Sequence, residues 1–252
     1  RCGAFGGKGD YDRAIADCSE AIRLNPKFAV AYNNRGKAYY SKREYDRAIT
    51  DYTDAIRLNA NFAEAHNNLG YAFLAQGRFD EAIKSLQQAL TIKPGYPDAH
   101  NNLGSALAGK GLFDEAIASY RQVLALRPDY AEAHSNLGNA LSKKGLFDEA
   151  IACHRRALQL KPALGEAHSN LGNALAGKEF YEDAIASYQR GLALAPKHIE
   201  AYNNLGLALQ AKGLLEEAAA AYQSALAIHP EYAEAHFNLG LTLLTQGDLG
   251  RG

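Results

Sequence analysis

The sequence predicts an all-α fold, a right-handed α-solenoid of antiparallel helix pairs, and three rows of residues carry that prediction. Glycines stand at Gly36, Gly70, Gly104, Gly138, Gly172, Gly206 and Gly240, always 34 residues apart. Prolines at Pro26, Pro94, Pro128, Pro162, Pro196 and Pro230 keep the same interval, with Ala60 in the one gap. Alanines at Ala14, Ala48, Ala82, Ala116, Ala150, Ala184 and Ala218 form the third row. One period shared by three residue types marks stacked repeats, none of which buries its apolar surface alone. Complete repeats span 29–62, 63–96, 97–130, 131–164, 165–198 and 199–232. A partial repeat, 1–28, precedes them and another, 233–252, follows, so we read residues 1–252 as a single array cut inside a repeat at both ends.

Residues 97–130 show how each repeat becomes two helices. Pro97 suits a first helical position, where its missing N–H removes no bond. His100, Leu103, Gly104 and Leu107 fall at i, i+3, i+4 and i+7, one face of the first helix. Gly111 ends that helix by accepting a left-handed backbone. Asp114 and Glu115 open the second helix at the positive end of its dipole. Ala116, Ile117, Tyr120, Val123 and Leu124 form its apolar stripe, and Pro128 stops it. Gly104 and Ala116 allow close helix approach, and Tyr120, Tyr188 and Tyr222 fill the adjoining space. Sustained two-residue alternation is missing, so strands are not expected.

Composition narrows the function classes. With 47% hydrophobic and 22% charged residues the chain is globular rather than disordered. A formal charge of −1 removes the usual drive toward nucleic acid or anionic membranes. No apolar run approaches the roughly 18 residues that cross a bilayer. Three cysteines (Cys2, Cys18 and Cys153), without CxxC spacing, argue against a disulfide framework and a zinc cluster. Residue 1 is Arg and the chain has no Met, so we expect the native N-terminus to be missing. Compartment is therefore unreadable, with the cytoplasm a weak default.

Several motifs invite chemistry and lose to packing. Gly104–Lys110 and Gly172–Lys178 fit GxxxxGK, but Gly111 and Glu179 follow where a phosphate loop needs Ser or Thr, and no strand precedes. No nucleotide or other cofactor is expected. His66, His100, His134, His168 and His236 recur once per repeat, about 10 Å apart, too far to share one metal ion. Asp80/Glu81, Asp114/Glu115, Asp148/Glu149 and Glu216/Glu217 resemble catalytic dyads, yet each opens a helix, where the dipole explains it. Cys153 and His154 are adjacent on a helix and do not face each other. No catalytic or metal-binding residue is expected.

The rows Leu103-Gly104, Leu107, Ala116, Tyr120 and Pro128 resemble the tetratricopeptide pattern over nearly the whole chain. The wording Ala-His-Asn-Asn-Leu-Gly and Ala-His-Ser-Asn-Leu-Gly is also similar to the repeat arm of O-linked N-acetylglucosamine transferases. The family resemblance implies a protein-interaction scaffold that grips a peptide or helix along a concave groove. His and Tyr stand where many members carry Trp, and Gly191 replaces a helix-interior alanine at an expected cost of about 1 kcal/mol.

In relatives, the row Asn34, Asn68, Asn102, Asn136, Asn170, Asn204 and Asn238 faces that groove. An amide offers donor and acceptor, so it can pair with a peptide main chain; the alternative is bonding within or between repeats that maintains curvature. Four residues earlier run Glu64, Asp98, Glu132, Glu166, Glu200 and Glu234, beside the asparagines and also within the first helical turn. The groove is thus expected to be negative and to favour partners with Lys or Arg. Neither row holds Lys or Arg from Glu64 onward, so the two-carboxylate clamp of chaperone-binding relatives is not expected. The leading expectation is a non-catalytic scaffold for a protein or peptide, without nucleic acid or membrane insertion. Two rivals stand beside it: a substrate-selecting arm of a larger enzyme such as a glycosyltransferase, and self-assembly through apolar end faces.

Overall fold

The spacing of small and large residues resolves, in a computed structural model that describes residues 10–249, into fourteen α-helices; no strand occurs among the described residues. Helices α1 (Tyr11–Leu24), α2 (Ala29–Ser41), α3 (Tyr45–Leu58), α4 (Ala63–Ala75), α5 (Phe79–Ile92), α6 (Pro97–Gly109) and α7 (Phe113–Leu126) lie in a unit spanning Arg1–Pro128. A second unit, Asp129–Gly252, holds α8 (Ala131–Lys143), α9 (Phe147–Leu160), α10 (Gly165–Ala176), α11 (Tyr181–Leu194), α12 (Ile199–Ala211), α13 (Leu215–Ile228) and α14 (Ala233–Leu249).

Within each unit every helix packs against the next, which is a solenoid of helix pairs. The first helices of successive repeats also touch: α2, α4 and α6 in one unit, α8, α10, α12 and α14 in the other. The second helices do not approach one another in this way. Closer spacing of the first helices makes them the inner layer of each unit.

The glycine row explains the tight helix pairing. A Cβ added to Gly104 would stand 2.6 Å from Cε1 of Tyr120, and one on Gly172 would stand 2.6 Å from Cε1 of Tyr188. Tyr120, Tyr188 and Tyr222 of the second helices therefore lie against bare backbone of the first, and their hydroxyls reach side chains of that first helix. Tyr120 meets Ser105 at 3.2 Å, Tyr188 donates to Asn173 Oδ1 at 2.8 Å, and Tyr222 donates to Gln210 Oε1 at 3.0 Å. Ala48, Ala82, Ala116, Ala150, Ala184 and Ala218 are fully buried.

Turns inside the pairs close as expected. Gly111 takes φ +79°, and Leu112 N–H donates to Leu107 O while Gly111 N–H donates to Ala108 O, capping α6. At two equivalent turns a side chain is forced into the same left-handed region: Arg43 and Glu179, both at φ 62°.

Two features of the sequence gain a structural account. Gly191 is not a simple defect, because a Cβ there would meet Ser169 Oγ at 2.7 Å and Gly165 O at 3.0 Å. Its missing side chain makes room for Ser169, so the helix-propensity cost comes with a packing reason. Cys18, fully buried in α1, is held in a disulfide, a bridge that makes no framework.

Candidate functional site

The repeated motifs are absorbed by structure. Four histidines of the row turn Nε2 toward the carbonyl six residues back: His66 to Ala60, His100 to Pro94, His168 to Pro162 and His236 to Pro230, at 2.8–3.1 Å. They tie the loop between repeats to the helix it leads into. The lysines of the phosphate-loop lookalikes pair with acids at the start of the preceding second helix, Lys110 with Asp80 and Lys178 with Asp148. Lys42–Asp12 and Lys212–Glu182 repeat that link at the same 30-residue separation. Dyad acids thus join neighbouring repeats. No group of three or more potential metal ligands occurs among the described residues.

The asparagine row is half-buried along the first helices, and much of it is tied between repeats. Asn68 Nδ2 donates to Asn33 Oδ1 at 2.9 Å and Asn102 Nδ2 to Asn67 Oδ1 at 3.0 Å. Asn238 Nδ2 donates to Asn203 Oδ1 at 3.0 Å. Thirty-five residues before Asn204 stands Ser169 where those three have asparagine, and Asn204 donates instead to Asn173 Oδ1 at 3.0 Å. Each such amide still holds a second N–H. Asn34 lines a cavity, Asn136 lies half-buried on α8, and Asn170 has a buried Nδ2 without a protein partner.

Half of the acidic row is paired with Lys or Arg, and a fourth member lies near a histidine. Glu64 meets Lys37, Asp98 meets Arg127 at 3.5 Å, Glu132 meets Lys161 at 2.8 Å and Glu200 lies 3.6 Å from His198. The Lys161 hydrogen bond holds the Glu132 carboxyl below its usual range. Glu166 and Glu234 are exposed. The row is therefore not a run of uncompensated carboxylates, and the negative groove weakens accordingly.

Sequence reasoning missed a tyrosine-walled cavity of about 380 Å³ in the first unit. Its wall includes Tyr11 of α1, Asn34, Lys37 and Tyr40 of α2, and Asn68 and Tyr71 of α4. Gly36 creates it in part: with no Cβ there, Tyr52 of α3 passes against α2, within 2.7 Å of where that Cβ would be, and its ring joins the wall. Tyr40 stacks on Tyr71 with ring centroids 4.9 Å apart and tilts against Tyr45 at 5.3 Å. Burial pushes the Tyr40 and Tyr52 hydroxyls above their ordinary range, so both stay neutral donors. The signal was present as five tyrosines between Tyr32 and Tyr52. On the same helices α1, α2 and α3, Arg35 forms a two-pronged pair with Asp51 at 2.7 and 2.8 Å and donates to Ser19 at 3.1 Å. Two other cavities, one beside Thr53, His66 and Gln88 and one beside Arg155, His168 and Arg190, lie at equivalent repeat positions and are grooves inherent to the stacking.

Family models agree with this architecture. Models described as tetratricopeptide or TPR repeats match residues 33–97, 7–42, 110–145, 178–213, 211–247 and 131–164. The chain belongs to the tetratricopeptide-repeat family. No curated protein matches it in sequence. Among solved structures it is similar to the APC/C Cut9–Hcn1 hetero-tetramer at TM-score 0.85 and 20% identity, over 96% of this chain. It spans only 48% of that chain, and at such identity the likeness concerns fold. It is also similar to YrrB, titled a TPR protein with an unusual peptide-binding site (26% identity, TM-score 0.60, 78% of this chain and 97% of that one). MamA from Desulfovibrio magneticus RS-1 is similar at 25% identity and TM-score 0.60, over 68% of this chain and 97% of that one. This fold is typical of non-catalytic scaffolds, and no described helix is long and apolar enough to cross a membrane.

Proposed function

We propose that the chain is a non-catalytic scaffold that binds a peptide segment of another protein along its first helices. The tyrosine-walled cavity takes one peptide side chain, and the asparagine row contacts the peptide main chain. The observation that carries this reading is coincidence: Asn34 and Asn68 of the expected row stand in the wall of a cavity of side-chain size. Four tyrosines share its wall with the polar side chains of Asn34, Lys37, Ser41 and Asn68, aromatic surface with polar groups as in a recognition pocket. The likeness to YrrB, a peptide-binding protein by title, supports the same class of function. Lys37 at the rim, with Glu64 beside it, offers a donor and an acceptor to flanking residues of the peptide.

The test is selection of random displayed peptides on the intact chain, then titration of the winners against variants. Tyr71→Ala should weaken binding about tenfold or more. Joint replacement of Asn34 and Asn68 by Ala, both in the wall of that cavity, should weaken binding at the main chain. Peptides that bind both variants as tightly as the parent would sink the proposal. A second reading, self-association, is favoured by one observation: α14 exposes Phe237, Leu243 and Leu244 on its surface. Replacing Leu244 by Glu should then lower the mass seen by light scattering at high concentration.

A further inference from the structure

Four buried side-chain atoms make no protein hydrogen bond among the described residues: Ser142 Oγ, both ring nitrogens of His154, and Asn170 Nδ2. They lie on the consecutive helices α8, α9 and α10 of the second unit, and equivalence between repeats relates them. His154 occupies the tyrosine position of its repeat, packed on Gly138, where an added Cβ would stand 2.7 Å from Nε2. One repeat later, Tyr188 holds the same position and donates to Asn173, fifteen residues before it, which also accepts from Asn204. The counterparts of those two asparagines around His154 are Asn139 and Asn170. Two repeats later, Tyr222 donates instead to Gln210, twelve residues before it, and the counterpart of Gln210 is Ser142.

Repeat equivalence therefore assigns Ser142, Asn139 and Asn170 to the surroundings of the point that a tyrosine hydroxyl occupies in the sister repeats. Imidazole is shorter than phenol and does not reach it. Buried polar groups left without partners are costly, and waters typically satisfy two to four of them at once. The occupant must both donate and accept, because Asn170 Nδ2 is a donor and Asn139 Oδ1 an acceptor. It must be neutral, since amides, a hydroxyl and an uncharged imidazole supply no compensating charge. We propose that Ser142, His154, Asn170 and Asn139 form a buried polar site that holds ordered water, one or two molecules, in place of the missing tyrosine hydroxyl. The water ties α8 to α9 and α10 through hydrogen bonds that the chain itself does not close. This repeat is then the hydrated joint of its unit, where its neighbour is sealed by a phenol.

Two variants and a structure decide it. His154→Tyr places the hydroxyl directly and should melt at or above the parent. His154→Phe keeps the ring but removes the nitrogens that hold the water. If the site is hydrated, the Phe variant should melt several degrees lower; if His154 is instead dry and orphaned, relieving it should raise the melting temperature. A higher melting temperature for the Phe variant overturns the proposal. So does a fall in the Tyr variant, which would mean the space is filled. A crystal structure of the parent should show solvent density within hydrogen-bond distance of His154 and Asn170. A ring turned onto a protein partner instead would overturn the site.

Discussion

Tyr52 and Tyr188 do the same packing job in the two units and end in opposite surroundings. Both lie against a glycine of the preceding helix, Gly36 and Gly172, at nearly the same closeness. Tyr188 ends on Asn173, whose carbonyl oxygen also receives Asn204, so its end is sealed and polar-satisfied. Tyr52 ends in the wall of the tyrosine cavity, with no side-chain hydrogen bond of its own. The difference comes from the variable positions of the first helix: Lys37 and Tyr40 in one, Asn173 and Ala176 in the other. Recurring residues hold the frame, and the non-recurring ones decide whether a repeat closes on itself or opens to a partner.

The largest effect expected lies at the Arg35–Asp51 pair, which joins the helices that carry Tyr40 and Tyr52. Leu69 and Ser85 stand where Arg35 and Asp51 stand, so the charged pair is a local departure from the repeat. Arg35→Ala leaves Asp51, 3% exposed, without its cation and should cost about 3–5 kcal/mol in chemical denaturation. Arg35→Leu with Asp51→Ser should recover most of the loss. Failure of the double variant to recover would mean that Ser19 and the cavity wall depend on the guanidinium itself.

Next in size is a pH effect in the second unit. Burial pushes the His154 imidazole down to about 4 from an ordinary 6.5. Between those values the unfolded chain takes up a proton that the folded chain refuses, so stability falls as pH drops from 6.5 toward 4. The loss approaches about 3 kcal/mol and then levels off as the folded form also protonates. Denaturation of the parent minus that of His154→Tyr isolates this effect from carboxylates such as Glu132, which lose stability only at lower pH. A pH-independent difference would remove His154 as the source.

Smaller effects sharpen the comparison. Tyr188→Phe should cost about 1 kcal/mol through its bond to Asn173, while Tyr52→Phe should change stability by far less. Equal losses would show that the two ends are not as different as their surroundings. Smallest, Glu179→Gly and Arg43→Gly should each stabilise by roughly 0.5–1 kcal/mol by relieving left-handed backbone. A gain at only one of them would reveal a contact made by the other side chain.

The cavity was the part of the candidate site least legible beforehand. Tyr40 and Tyr71 fall in no recurring row, and a search guided by the 34-residue period passes over residues that break it. Asparagine was legible as a row but not as a set of bonds. Asn68 and Asn102 find asparagine partners 35 residues back, whereas Asn204 finds serine there and turns elsewhere. The acidic row was read as a negative face because its cations, Lys37, Arg127 and Lys161, sit in other rows.

The period, the helix pairs, the turn glycines and the glycine–tyrosine packing were written in the sequence alone. Each depends on residues a few positions apart, or on a spacing that repeats, and local sterics act the same way in every copy. What only the tertiary structure decided was the fate of each polar group. An amide or carboxylate in one repeat is satisfied by a side chain about 30 residues away, across a gap of two or three ångströms. Whether that partner is Asn or Ser, phenol or imidazole, changes the outcome completely while leaving the repeat pattern untouched. Hydrogen bonds are short-ranged and directional, so the rows that specify the frame do not specify where it binds.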